Sequence, residues 1–125
     1  MLYRKEKVDR YILSDELKEI DCDNFSINAL EAIIDYYDNL YIDTELSPYT
    51  IAETFEEFES SVDWYRKIYG ESELEYEKEQ FQKKINLPDG EDFDKAFKEH
   101  CRIIMNKQGV EYKELPYGKI LTIGD

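Results

Sequence analysis

Negative charge is concentrated in one part of this chain, and that concentration limits how the chain can fold. Residues 11–60 contain fourteen acidic side chains and a single basic one, Lys18. Burying ionised carboxylates costs a large free energy, so the fold must keep nearly all of them at the surface. The apolar residues between them must therefore segregate onto separate, buried faces. Most of the net charge of −14 comes from this stretch.

The apolar content of the chain is high enough for a folded core. A hydrophobic fraction of 42% with eleven tyrosines and six phenylalanines argues against disorder, and 125 residues suffice for one core. We therefore expect a single domain over residues 1–125. No stretch is apolar enough to cross a membrane, and the N-terminus lacks the apolar region of a signal peptide. We expect a cytoplasmic protein with Cys22 and Cys101 as free thiols, the alternative being one disulfide between them.

Helical periodicity is clearest in two stretches. Apolar residues recur at helical spacing over residues 27–41, which predicts a helix with Ser26 as its N-cap. A second amphipathic pattern predicts a helix over residues 91–107. Shorter helices are expected from Ser14 to Ile20 and over 60–70.

Strand patterns are fewer. Residues 49–55, YTIAETF, alternate and contain β-branched and aromatic side chains, which predicts a strand. Two further runs flank PYG and predict a terminal hairpin over about 110–123. The sequence thus predicts an α+β fold, dominated by helices, with a small antiparallel sheet.

Five glutamates alternate along ESELEYEKEQ, residues 71–80. On a helix they would divide into two solvated stripes, whereas on a strand they would line one side. We favour a helix over 71–86, and with it a solvated surface.

Sites for catalysis or metal binding are not evident in the sequence. His100 is the only histidine, and its neighbour Cys101 points about 100° away on a helix, so the two make a poor nucleophile–base pair. We expect His100 at the edge of the core. A calcium-loop-like run from Asp21 fails because Ser26 stands where glycine is needed. We expect no catalytic residues, no metal and no cofactor.

Acidic and aromatic side chains are interleaved over residues 36–65, where eight aromatics accompany eight acids and no base. We expect the core to take some of the rings and the surface others. The expected core rings are Tyr37, Phe55 and Trp64, and the expected surface rings are Tyr36, Tyr49 and Phe58. Tyrosine among carboxylates suits the binding of a basic protein surface. The basic N-terminal segment, with Arg4, Lys5, Lys7 and Arg10, is short and precedes a strongly negative body. We therefore expect it to pair with the protein's own acids or to add only solubility, the alternative being a nucleic-acid-binding arm.

Two stretches resemble a group of small acidic proteins common in phage and prophage genomes. They are FSINALEAIIDYYDNL, residues 25–40, and SPYTIAETFEEFESSVDWYRKIYG, residues 47–70. The resemblance implies a mobile-element origin but no assigned activity or site residues. Small acidic phage proteins without catalytic motifs resemble inhibitors of host defence, such as anti-CRISPR and antirestriction proteins.

The expected function is therefore non-enzymatic inhibition of a basic, nucleic-acid-binding protein of bacterial defence, with the inhibitor as a nucleic-acid mimic. No direct contact with nucleic acid or membrane is expected, because the acidic field repels both. The alternatives are an immunity protein or antitoxin that neutralises a basic toxin, and an enzyme that uses carboxylates with a divalent metal. The residues expected to bind the partner are Asp35, Asp38, Asp43, Glu45, Glu53, Glu56, Glu57 and Glu59, with Tyr36 and Tyr41 as anchors.

Overall fold

A computed structural model describes residues 1–124, and these divide into two compact units. Unit 1 comprises Met1–Glu57 and the C-terminal segment from Glu111 onward, and unit 2 comprises Phe58–Val110. In chain order, unit 2 is thus an insertion in unit 1. The expected α+β fold, dominated by helices and with a small antiparallel sheet, is confirmed.

Unit 1 combines three helices with six short strands. The helices are α1 (Arg10–Glu19), α2 (Ile27–Asp38) and α3 (Pro48–Thr54). The strands are β1 (Leu2–Arg4), β2 (Glu6–Lys7), β3 (Thr44–Glu45), β4 (Phe55–Phe58), β5 (Glu111–Glu114) and β6 (Ile120–Ile123). Strand β1 pairs with β2 in antiparallel and with β3 in parallel orientation. In the other sheet β6 lies between β4 and β5.

Side-chain caps fix where the first two helices begin. The Asp9 carboxylate accepts a hydrogen bond from the Ile12 amide at 2.9 Å, so α1 begins at Arg10 and not at the predicted Ser14. The predicted cap of α2 is confirmed, because the Ser26 hydroxyl accepts from the Ala29 amide at 3.2 Å. Helix α2 ends at Asp38, three residues before the predicted end.

The strand predicted over residues 49–55 is wrong for all but its last residue. Residues Pro48–Thr54 form helix α3, and strand β4 begins only at Phe55. Ser47 caps this helix through the Thr50 amide, and Pro48 occupies its first turn, where the missing N–H costs nothing. The Ser-Pro start signal therefore outweighs the β-branched composition that favoured a strand.

The core of unit 1 is built around helix α2. Ile33 is fully buried and Tyr37 nearly so, together with Leu13 and Leu17 from α1. Phe55 is buried against the rings of Tyr36 and Tyr37, with centroid distances of 5.4 and 6.0 Å. The predicted core positions of Tyr37 and Phe55 are thus confirmed. Tyr36, expected at the surface, is half-buried because it joins this ring cluster.

The predicted C-terminal hairpin is confirmed. Strands β5 and β6 run antiparallel, with Glu111 opposite Ile123 and Glu114 opposite Ile120. The turn places Tyr117 and Gly118 at positive φ, a conformation that glycine adopts freely and tyrosine rarely.

Unit 2 contains three helices: α4 (Ser61–Tyr69), α5 (Glu71–Ile85) and α6 (Glu91–Lys107). All three were predicted, including the helical state of the alternating glutamates. Gly70, at φ +93°, ends α4 and lets α5 begin one residue later. The side chains buried within this unit are Trp64, Tyr65, Leu74, Phe93, Phe97, Cys101 and Met105.

The single-domain prediction for residues 1–125 implies that both units unfold in one transition. The inserted segment leaves unit 1 at strand β4 and returns to it at strand β5. Because β6 lies between these two strands, they are about 10 Å apart across the sheet. Unfolding unit 2 would replace a folded insert with a flexible loop of roughly fifty residues, whose closure costs about 3–4 kcal/mol. The chain connection alone therefore couples the two units.

We expect the substitution Phe55→Ala in unit 1 to lower the free energy of unfolding by about 3–5 kcal/mol, because it removes a buried ring. Trp64, the only tryptophan, is buried in unit 2, so its fluorescence follows unit 2 alone while circular dichroism follows all helices. Both signals should shift together in urea denaturation.

The matched control is Tyr49→Ala, which removes an exposed ring from α3 and should change stability by about 0.5 kcal/mol or less. A Trp64 transition that stays in place in Phe55→Ala would show that the units unfold independently.

Candidate partner-binding face

An open groove of about 680 Å³ lies in unit 1 between the start of helix α1 and the outer side of helix α2. Its apolar surface comes from Val8, Ile34 and the Tyr11 ring, and its remaining lining is charged. The charged residues that line it are Lys7, Asp9, Arg10, Glu31, Asp35 and Asp38. We refer to it as the α2 groove. It brings together two of the predicted partner-binding residues, Asp35 and Asp38.

Basic side chains of the N-terminal segment neutralise part of this groove. Arg10 bonds to Glu31 at 2.6 Å and Lys7 approaches Asp38 to 3.3 Å. The Arg10 guanidinium also lies 4.9 Å from the centroid of the Tyr11 ring and donates a hydrogen bond to its hydroxyl. Tyr11 and then Glu31 raise the pKa of Arg10 above its ordinary value.

The expectation that the N-terminal bases pair with the protein's own acids is confirmed for three of the four. Besides Lys7 and Arg10, Arg4 approaches Glu16 to 3.5 Å. All three pairs are partly exposed, so each contributes little to stability. The pairs of Arg10 and Lys7 reduce the surface charge on either side of Asp35.

Asp35 lines the α2 groove without a basic partner in the described part of the chain. It lies four residues after Glu31 and three before Asp38 on the same stripe of the helix. The two flanking carboxylates have basic partners, whereas Asp35 is exposed and forms no ion pair within residues 1–124. Of the three carboxylates on this stripe of α2, it is thus the one that is open to a basic group from outside.

The loop after α2 presents apolar side chains directly to solvent. Leu40, Tyr41 and Ile42 follow one another, and Tyr41 is fully exposed while Ile42 is 70% exposed. Asp43, also exposed, has the Met1 amino group 3.7 Å away, and Glu45 follows in strand β3. Runs of exposed apolar residues are costly unless they serve binding, so this loop is a second part of the candidate face.

Glu57 serves the fold. Its carboxylate accepts a hydrogen bond from the Ser26 amide at 2.7 Å and another from the Ser26 hydroxyl at 2.6 Å. Strand β4 is thereby tied to the start of helix α2, where the helix dipole favours a negative charge. Both oxygens of the Glu57 carboxylate thus accept a hydrogen bond within the protein.

The remaining predicted residues are distributed over other elements. Glu53 is exposed on helix α3, and Glu56 is half-buried on strand β4. Glu59 is exposed but belongs to unit 2. Of the two predicted anchors, Tyr41 is fully exposed, whereas Tyr36 is half-buried and packed on Tyr37 and Phe55.

Sequence reasoning missed the basic side of the α2 groove. Arg10 and Lys7 were expected to pair with acids of the protein, but their partners Glu31 and Asp38 were not identified, and the predicted start of α1 at Ser14 left Tyr11 outside the helix. One available signal was Asp9, an N-cap residue directly before RYIL.

Unit 2 holds the only histidine at the edge of its core, as predicted. His100 stacks on Phe81 at a centroid distance of 4.3 Å, and its Nε2 lies 2.8 Å from a Glu77 carboxylate oxygen. Burial, and then the Glu77 charge, raise the pKa of Cys101 from its ordinary 9.0 to about 12. The stabilisation from burying the neutral Cys101 thiol is therefore complete below about pH 9 and is lost as the pH rises toward 12.

Within residues 1–124, no three histidine, cysteine or acidic side chains are grouped so that they could hold a metal ion. Over the same residues no helix combines the length and apolar character needed to cross a membrane. No protein-family model, curated protein or solved structure matches the chain.

We expect Glu57→Ala to lower the free energy of unfolding by about 2 kcal/mol, because it leaves the Ser26 amide and hydroxyl without their acceptor. The loss can be measured by urea denaturation. Glu53→Ala, an exposed glutamate of the same unit, is the control and should change stability by about 0.5 kcal/mol or less. Equal effects of the two substitutions would contradict the structural role of Glu57.

The two cysteines, which are both free as predicted, should differ in reactivity. At pH 8 the raised pKa of Cys101 lowers its thiolate fraction on the order of a thousandfold relative to an ordinary cysteine. A chromogenic disulfide reagent should therefore label Cys22 first in the folded protein and both thiols in guanidinium chloride. Loss of the fast phase in Cys22→Ser would agree with this assignment, and a fast phase that persists would refute it.

Proposed function

We propose that the protein is a non-enzymatic inhibitor that binds a basic, nucleic-acid-binding protein of bacterial defence in the bacterial cytoplasm. The observation that carries the proposal is the combination of unpaired carboxylates and exposed apolar side chains between helix α2 and strand β3. Asp35 and Glu45 are exposed without an ion pair, and the fully exposed Tyr41 lies between them in the chain. We call residues 35–45 the α2–β3 face.

Electrostatics favours a basic partner for this face. Residues 19–65 contain no basic side chain, so the field around the face is strongly negative. Such a field accelerates the encounter with a surface rich in lysine and arginine. Proteins that handle nucleic acid carry that kind of surface, because their affinity comes largely from contacts with phosphates. A bound acidic protein would then exclude the nucleic acid by occupying the same groove.

The exposed apolar side chains would supply contact area that charges alone do not. Surface ion pairs are worth little individually, whereas aromatic anchors contribute much of the binding energy at protein interfaces. Tyr41 is the ring of the α2–β3 face that has no contact with the protein's own core. The resemblance of residues 25–40 and 47–70 to small acidic phage proteins gives the proposal its biological setting.

The first experiment is to capture partners from a lysate of the bacterial host at low and at high salt. The affinity tag belongs at the C-terminus, because the Met1 nitrogen bonds to the Tyr37 carbonyl oxygen at 2.7 Å. We expect a partner that binds DNA or RNA and dissociates as salt rises, since exposed charges are screened over about 8–10 Å at physiological ionic strength. Recovery of only a small basic toxin would instead favour an immunity protein.

A charge variant tests the face itself. The triple substitution Asp35→Asn, Asp43→Asn and Glu45→Gln should weaken binding to the captured partner about tenfold, from three lost exposed charge contacts. Binding can be measured by calorimetry or surface plasmon resonance at two salt concentrations.

The matched control is Glu19→Gln, Glu75→Gln and Glu111→Gln, which removes the same charge from exposed sites elsewhere on the chain. Equal weakening by both triples would mean that overall charge matters and the α2–β3 face does not. Full affinity at molar salt would count strongly against occupation of a nucleic-acid groove.

A further inference from the structure

The Tyr41 ring is held outward by a loop whose two ends are fixed. On one side the Leu40 amide bonds to the Tyr37 carbonyl oxygen at 3.2 Å and closes the end of α2. On the other, the Thr44 amide bonds to the Met1 carbonyl oxygen at 2.8 Å and starts strand β3. A fixed loop loses little entropy on binding, so an exposed ring on it is well suited to dock into a partner.

Two carboxylates follow the ring closely in the chain. Asp43 directly precedes strand β3, and Glu45 is the second residue of that strand. Extended chain spaces alternate residues about 6–7 Å apart. Both are exposed, and Glu45 has no ion pair within the described chain. The segment therefore presents a flat aromatic ring followed by spaced negative groups.

Single-stranded nucleic acid presents the same chemistry, a flat ring and a negative group for each nucleotide. Proteins that bind it combine a cationic groove with aromatic side chains on which the bases stack. We propose, as an inference that rests on the proposed function, that residues 41–45 imitate a short single strand of nucleic acid. Tyr41 takes the place of a base, and Asp43 and Glu45 take the place of phosphates. The partner is then a protein with an aromatic-lined, cationic, single-strand-binding groove.

The exposed ring distinguishes this partner from a protein that binds duplex DNA. In a duplex the bases are stacked inside, and the protein contacts phosphates and base edges in the grooves. A protruding Tyr41 ring would find no stacking partner on such a surface. A single-strand groove, in contrast, offers a ring to stack on at each base position.

Two short peptides serve as probes of this inference. The amides of Lys-Lys-Trp-Lys-Lys and Lys-Lys-Leu-Lys-Lys carry the same charge, and only the first offers a stacking ring. In a titration of isotope-labelled protein at low salt, followed by NMR, the tryptophan peptide should bind about fivefold more tightly or better. The largest shifts should be at residues 39–45, and the Tyr41 ring protons should move upfield.

Matched variants assign the preference to the ring. Tyr41→Ala should abolish the preference for the tryptophan peptide, whereas Tyr41→Phe should retain it. Tyr49→Ala, which removes another exposed ring of unit 1, should leave it unchanged.

The outcomes separate this inference from the proposed function. Equal binding of both peptides at the α2–β3 face would overturn the single-strand mimic and leave an acidic binding face intact. A preference that survives Tyr41→Ala would also overturn it, because another ring would then be responsible. Absence of binding by either peptide at low salt would overturn the inference and count against the proposed function as well.

Discussion

The hydrogen bonds between Glu57 and Ser26 join the two elements on which the core of unit 1 depends. They link strand β4 to the start of helix α2 across 31 residues of chain. The apolar side of this helix packs on α1, and Phe55 at the start of β4 packs on the rings of Tyr36 and Tyr37. The outer stripe of the same helix then faces the N-terminal bases. The core and the α2 groove thus lie on opposite sides of one helix.

The acidic surface is smaller than the composition of residues 11–60 implies. Glu31 and Asp38 have basic partners, and Glu57 acts as a structural acceptor. Asp35 and Glu45 are exposed without an ion pair among the described residues and lie on either side of the fully exposed Tyr41 in the chain. Ion pairing and capping therefore withdraw some carboxylates of the stretch from the accessible charge, and the fully exposed ring of Tyr41 distinguishes residues 35–45.

Much of the fold followed from local signals, and most of the face did not. Helix α2 was predictable from its cap and periodicity, α6 from its periodicity, α5 from the helix propensity of its residues, and the final hairpin from the two strand-like runs around its turn. The strand predicted over 49–55 was wrong because β-branched composition was weighed above the Ser47-Pro48 start signal. Which acids would be paired depended on contacts far apart in sequence, such as Arg10 with Glu31. No local sequence pattern indicates those contacts. The sequence therefore did not distinguish Asp38, which is ion-paired, and Glu57, which is hydrogen-bonded, from the unpaired Asp35.

The central position of β6 has a consequence for how the protein is made. The strand lies between β4 and β5, yet it is the last of the three to be synthesised. At about 5–20 residues per second, β4 waits several seconds on the ribosome before its partner emerges. Unit 2 is synthesised within that interval, while the edge of β4 that later pairs with β6 has no partner strand. Synthesis of this chain therefore completes the inserted unit before the unit that carries the candidate face.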